Sequence, residues 1–167
     1  IVDVTKPQAG ELVQDPAAGT AGFLIAADSY IKRHTDQLFD LSDKEQRFQK
    51  REAFVGLELV PETRRLALMN CMLHDIDSVG EGAVRIGDTL SSDGAKLPHA
   101  DIILTNPPFG TKKGAGGGSR DDLTFPTSNK QLMFLQHTYR ALKPGGRVAV
   151  VLPDNVLFEE GRGREIR

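Results

Sequence analysis

Five short apolar runs, most of them separated by segments of helical period, constrain this chain more than any other feature. Residues 11–14, 53–58, 83–86, 100–104 and 147–152 read as strands. Over residues 21–38 the apolar positions Phe23, Leu24, Ala27, Tyr30 and Ile31 recur at helical spacing. Residues 40–51 are dense in charge and read as a solvated helix or connection. Pro61 suits the first turn of a helix that runs to about His74, with Leu66, Leu68, Met69 and Met72 as its buried stripe. A last helix spans residues 129–142 and is closed by Lys143-Pro144-Gly145-Gly146. Alternation of this kind predicts an α/β fold with a doubly wound, parallel, Rossmann-like sheet. Ligands in such sheets bind beyond the carboxyl ends of the strands. Asp15, Glu58, Asp88 and Asn106 all follow strands and are expected to cluster at that edge, with the first strand central. Loops are polar in any fold, so their placement supports a site without deciding one.

The run Asn106-Pro107-Pro108-Phe109 carries the most chemistry. The Asn side-chain oxygen and the carbonyl of the first proline can both accept from an exocyclic amine. The prolines hold φ near −65° and remove backbone donors, so the acceptors are rigid. The aromatic ring can stack on a flat heterocycle. This combination suits methyl transfer to an amino nitrogen of a planar base. Asn and Pro also make ordinary turns, and the tetrapeptide alone does not separate the two readings.

The first loop, Asp15-Pro16-Ala17-Ala18-Gly19-Thr20-Ala21-Gly22-Phe23, is built of small residues that let a ligand approach the backbone. The helix that follows offers free N–H groups suited to a carboxylate. It lacks both the G-x-G-x-x-G signature and the lysine of a phosphate-binding loop. Glu58 is placed to accept from both hydroxyls of a ribose, or to serve a helix N-terminus, or to remain a solvated charge. Asp88 is either an acceptor for an adenine amino group or a plain turn residue.

Charge and cysteine content exclude other classes. The net charge of −2 is not that of a chain that grips DNA alone. The single Cys71 excludes an intramolecular disulfide and a cysteine-based zinc site. It sits in an apolar helix rather than a Pro-Cys turn, so it reads as packing and not as the thiolate of a cytosine methylase. No metal site is expected. No run approaches a membrane span, and the cytoplasm is the default location. His74 and His137 read as structural. Lys112, Lys113 and Arg120 are placed in a flexible segment that either touches phosphate or is simply solvated.

Together these stretches resemble an S-adenosylmethionine-dependent amino-methyltransferase of DNA. Leu68-Met69-Asn70-Cys71-Met72-Leu73-His74 and Ile86-Gly87-Asp88-Thr89-Leu90 extend the match. With Asp15 to Leu24 and Thr105 to Gly110, they make the chain similar to the methylase subunit of type I restriction-modification systems. The resemblance implies a cofactor site at Asp15, Pro16, Ala18, Gly19, Thr20, Ala21, Gly22, Phe23, Glu58 and Asp88. It implies a catalytic turn at Asn106, Pro107, Pro108 and Phe109. It further implies S-adenosylmethionine as cofactor and a flipped adenine in double-stranded DNA as target. Specificity and restriction subunits are the implied partners. Residues 1–167 would then be part of a catalytic domain, truncated at both ends, with a helical N-terminal region and the last strands missing. Many relatives have Gly at the position of Ala21, and the backbone there is expected to be ordinary. Two other readings stay open at this point: a glutamine methyltransferase of release factors and a non-catalytic assembly module. The residues alone do not separate DNA from RNA.

Overall fold

The computed structural model describes residues 1–77, 79–108, 120–158 and 160–166. Phe109, Lys112 and Lys113 lie outside the described residues. Five parallel strands form one sheet: β1 (Val13–Asp15), β2 (Phe54–Glu58), β3 (Val84–Ile86), β4 (Ala100–Thr105) and β5 (Leu142–Val150). Their spatial order is β3-β2-β1-β4-β5, so β1 is central as expected. The order reverses between β1 and β4, where Val13 pairs Ile102 and Gln14 pairs Ile103. The helices are α1 (Val2–Thr5), α2 (Gly22–Arg33), α3 (Asp43–Arg51), α4 (Pro61–Leu73), α5 (Ser92–Ala95), α6 (Lys130–Ala141), α7 (Asp154–Phe158) and α8 (Arg162–Ile166).

Strand alternation divides the core. Ile102 and Leu104 of β4 join Val13, Phe54 and Val84 in a cluster with Leu24, Ala27 and Ile31 of α2. Ile103, one residue out of phase, packs instead with Ala100 and Ala141 of α6. Successive side chains of a strand point to opposite faces, so helices on both faces are required to bury them. Local signals set the helix starts. Ser42 and Glu45 form a reciprocal capping box before α3, and Asn129 caps α6 by accepting from Gln131 and Leu132.

Three sequence expectations are corrected. Helix α4 buries Ala67 and Cys71, whereas Leu66, Met69 and Met72 are 53%, 60% and 79% exposed. Of the expected stripe only Leu68 packs against the core, over Gly82. The helix carries apolar residues on nearly every side, so periodicity could not select a face; small residues let it lie close to the sheet. Helix α2 stops at Arg33 rather than near Leu38. The Thr35 hydroxyl and the His34 ring take up its last carbonyls, and a separate turn at Asp36–Leu38 brings Leu38 into the core. The expected turn at residues 143–146 is absorbed into β5 as a bulge, because the register passes from Ala100–Leu142 to Ile102–Arg147. Pro144 is tolerated there because a bulge at an edge needs no ladder donor.

Candidate active site

All five strands run in one direction, so their carboxyl ends share one edge of the sheet. Asp15 ends β1, Glu58 ends β2, Thr105 ends β4, and Asn106 follows it directly. Asp88 lies two residues beyond β3. The structure therefore brings the four predicted residues to one edge, around the β1–β4 reversal.

The first loop is tied down by backbone bonds. Ala18 N–H donates to Leu57 O at 2.9 Å, and Ala21 N–H to Ala18 O at 2.8 Å. Asn70 of α4 holds the Thr20 carbonyl at 3.0 Å. Pro16, Ala18 and Ala21 are buried, while Thr20 and Gly22 face outward. Phe23 is half-buried, with its ring packed in part against the core. Ala21 takes φ +67°, against the expectation of an ordinary backbone. The chain must turn sharply into α2 here, and burial of the Ala21 methyl group in the core holds a conformation that costs an L-residue about 1–2 kcal/mol. A Cβ placed on Gly19 or Gly22 would meet nothing within 4 Å, so the loop presents open backbone. Gly56 does the reverse: a Cβ there would lie 2.9 Å from the Ala18 Cβ, so glycine lets β2 meet the loop.

Glu58 is bound at both oxygens. Oε2 accepts from Gly19 N–H at 2.9 Å and Oε1 from Val60 N–H at 2.8 Å. The second bond serves the N-terminus of α4, as one of the sequence readings had it. Each carboxylate oxygen keeps a further lone pair, so the group can still accept from a diol. Asp88 closes its own turn, with Oδ1 accepting from Leu90 N–H at 2.8 Å.

Asp15 is 1% exposed. Burial pushes its carboxyl up to about 7; the Ala17 N–H opposes the rise, and the Glu58 charge adds to it. The Thr105 hydroxyl also lies beside Asp15 and opposes the rise by more than Glu58 adds to it, yet it makes no hydrogen bond of normal geometry. Asn106 is exposed, Pro107 buried and Pro108 exposed, so the turn is anchored by one proline and offers the Asn side chain outward.

Arg120 departs from the sequence reading. It is not solvated: its side chain is 2% exposed, and it grips Asp122 with Nε and Nη2 at 2.6 and 2.7 Å. Its Nη1 donates to Thr89 O at 2.7 Å and faces His137 Nδ1 at 3.2 Å. His137 in turn faces Gln14 of β1. Burial, then the Arg120 charge, hold the His137 imidazole down at about 4, so it is neutral. Cys71 is buried and its thiol is pushed up to about 11 by burial, which bears out a packing role. Among the described residues there is no cluster that could hold a metal ion. Nor is any helix among them long and apolar enough to cross a membrane.

A profile of the N-6 DNA methylase family matches residues 1–167. The chain belongs to that family. It is 60% identical, over its full length, to the methylase subunit of the type I restriction enzyme StySPI from Salmonella potsdam, and covers 32% of that protein. It is 59% identical to the EcoKI methylase subunit of Escherichia coli, again over its full length and 32% of the relative. The crystal structure of the EcoKI M protein superimposes with a TM-score of 0.94 at 58% identity, covering 99% of this chain and 34% of that one. The chain thus spans about a third of the length of these methylase relatives.

Proposed function

We propose that residues 1–167 form part of the catalytic domain of a methylase subunit that transfers the methyl group of S-adenosylmethionine to N6 of adenine in DNA. The observation that carries this reading is the pairing of two features across the β1–β4 reversal. On one side is an open glycine loop joined to Glu58 through the Gly19 amide. On the other is an outward-facing Asn106 on a proline-anchored turn.

The residues present fit the cofactor. The open backbone at Gly19 and Gly22 leaves room beside the loop. Glu58 keeps acceptor capacity for ribose hydroxyls, and the Asp88 turn can accept from an adenine amine. When bound, S-adenosylmethionine supplies a methyl group on a sulfonium leaving group. Asn106 and the Pro107 carbonyl accept the two hydrogens of the target amine, which draws its lone pair out of conjugation with the ring and aims it. Positioning of this kind contributes roughly 7–11 kcal/mol in the best intramolecular reactions. The adenine leaves the duplex at a cost of a few kcal/mol, and stacking on Phe109 offsets part of it. Pro107 and Pro108 keep the acceptors fixed, so little reorganisation accompanies transfer.

The net charge of −2 supports a division of labour in which most phosphate contacts come from a specificity subunit, alongside a restriction subunit in the full complex. The cytoplasm is where such a complex would meet its DNA. Asn106→Ala in the full-length subunit, assembled with its specificity partner, tests the reading. We expect labelled-methyl transfer to be lost while gel-shift binding of DNA stays near wild type. Transfer at the wild-type rate would overturn the mechanism.

A further inference from the structure

We propose that Arg120 is a positioning residue for the cofactor: it braces the turn carrying Asp88 and Thr89 against β1 and the first loop. This rests on the function proposed above and deepens it.

One buried guanidinium joins three parts of the fold. Its fork is held by Asp122, while Nη1 donates to the Thr89 carbonyl at 2.7 Å. The Thr89 hydroxyl donates to the Pro16 carbonyl, so the same residue is bound on its other side to the first loop. Arginine has donors only. Nδ1 of His137, 3.2 Å from Nη1, must therefore be an acceptor, and the ring proton sits on Nε2. That proton points to Gln14 Oε1 at 3.2 Å, which leaves the Gln14 amide to donate to Pro98 O at 2.8 Å. Every donor in the chain is thus assigned by its neighbour, from Arg120 through the central strand to the residue that leads into β4.

Arg120 is buried but its partner Asp122 is 32% exposed, and such a pair is weak support for stability alone. What the guanidinium supplies here is geometry. Helix α5 makes room for it: a Cβ on Gly94 would lie 2.1 Å from Thr89 O and 2.6 Å from Arg120 Nη1. Arg120 bonds to the carbonyl of the residue after Asp88, so it acts on the cofactor through the turn.

The test uses the full-length subunit with Arg120→Lys, which keeps charge but loses the fork, and Asp122→Asn, which keeps the arginine but disturbs its grip. Cofactor titration by calorimetry should show at least a tenfold rise in Kd for Arg120→Lys and about a threefold rise for Asp122→Asn. kcat at saturating cofactor should stay within about threefold of wild type. In ligand-free protein, hydrogen exchange at the Leu90 and Ser91 amides, which close the turn on Asp88, should accelerate. A merely structural role would lower the melting temperature and the active fraction while leaving Kd and turn exchange unchanged, and that result overturns the proposal. A wild-type protein that binds no S-adenosylmethionine overturns the functional reading and the positioning role together. Wild-type binding with unchanged Kd in both variants overturns only the role of Arg120.

Discussion

The Gly19 amide donates to Glu58 Oε2 at 2.9 Å, so the acid at the end of β2 is joined directly to the loop after β1. Glu58→Ala should act twice. Two backbone amides lose an acceptor, costing about 1–3 kcal/mol of stability. Lost ribose bonds should weaken S-adenosylmethionine binding by at most about 1.5–3 kcal/mol each. Denaturant unfolding and calorimetric titration separate the two effects. An unchanged affinity would remove Glu58 from the cofactor site.

Asp15 makes stability depend on pH in an unusual direction. Its carboxyl moves from the ordinary 3.8 up to about 7 in the folded protein. A raised carboxyl stabilises the fold fully below the lower value and loses that contribution as pH climbs through the higher one. Asp15→Asn should therefore be more stable than wild type at pH 8, by on the order of 4 kcal/mol at most, with the gain vanishing near pH 4. His137 works oppositely. Its ring falls from 6.5 to about 4, so stability is lost as acid carries the protein down through that window. The two slopes oppose each other in the wild type, and Asp15→Asn should unmask the acid loss. Urea unfolding at several pH values reads both.

The same carboxyl predicts a proton count. A cation brought beside Asp15 lowers its pKa. Binding of the positively charged cofactor near pH 7 should release a fraction of a proton. Calorimetry in two buffers of different ionisation enthalpy measures it, and proton uptake would contradict the placement.

Ala21 and Gly56 make a contrasting pair. Ala21→Gly relieves a φ of +67° but removes a methyl group that is fully buried. These terms are each about 1 kcal/mol and opposite in sign, so the net change in stability should be under ~1 kcal/mol. Gly56→Ala forces a Cβ to 2.9 Å from Ala18 and 3.0 Å from the Asp15 carbonyl. Overpacking of backbone should cost about 1–3 kcal/mol and displace the first loop, lowering cofactor affinity with it. Thermal melts of the two variants should differ clearly.

Much of this architecture was legible in the sequence, for physical reasons. The strands could be read because Val55, Leu57, Ile102 and Ile103 are buried in runs flanked by polar turns. A parallel sheet then placed Asp15, Glu58, Asp88 and Asn106 at one edge by topology alone. What escaped was set by tertiary partners. The buried face of α4 depended on how close the helix lies to the sheet. Ala21 adopts a left-handed conformation where the chain turns into α2, with its methyl group buried in the core. Arg120 looked solvated because its neighbours in sequence are glycine and polar residues, while its bonding partners, Thr89 and His137, come from elsewhere in the chain. A signal for it did exist: Gln14 and His137 are polar residues at core positions of a strand and a helix, and buried polar groups need partners.

The central place of β1 also dictates when the site can come into being. Its neighbour β4 is far off along the chain; the bond from Leu12 N–H to Asp101 spans 89 residues. Pairings of such sequence separation form late, because a long loop must close before any contact rewards it. On a ribosome the glycine loop and Glu58 emerge first and the proline turn much later. The two halves of the pocket therefore meet only when β4 docks, and slow folding would be expected to appear first as protein that has the loop but cannot present it to a base.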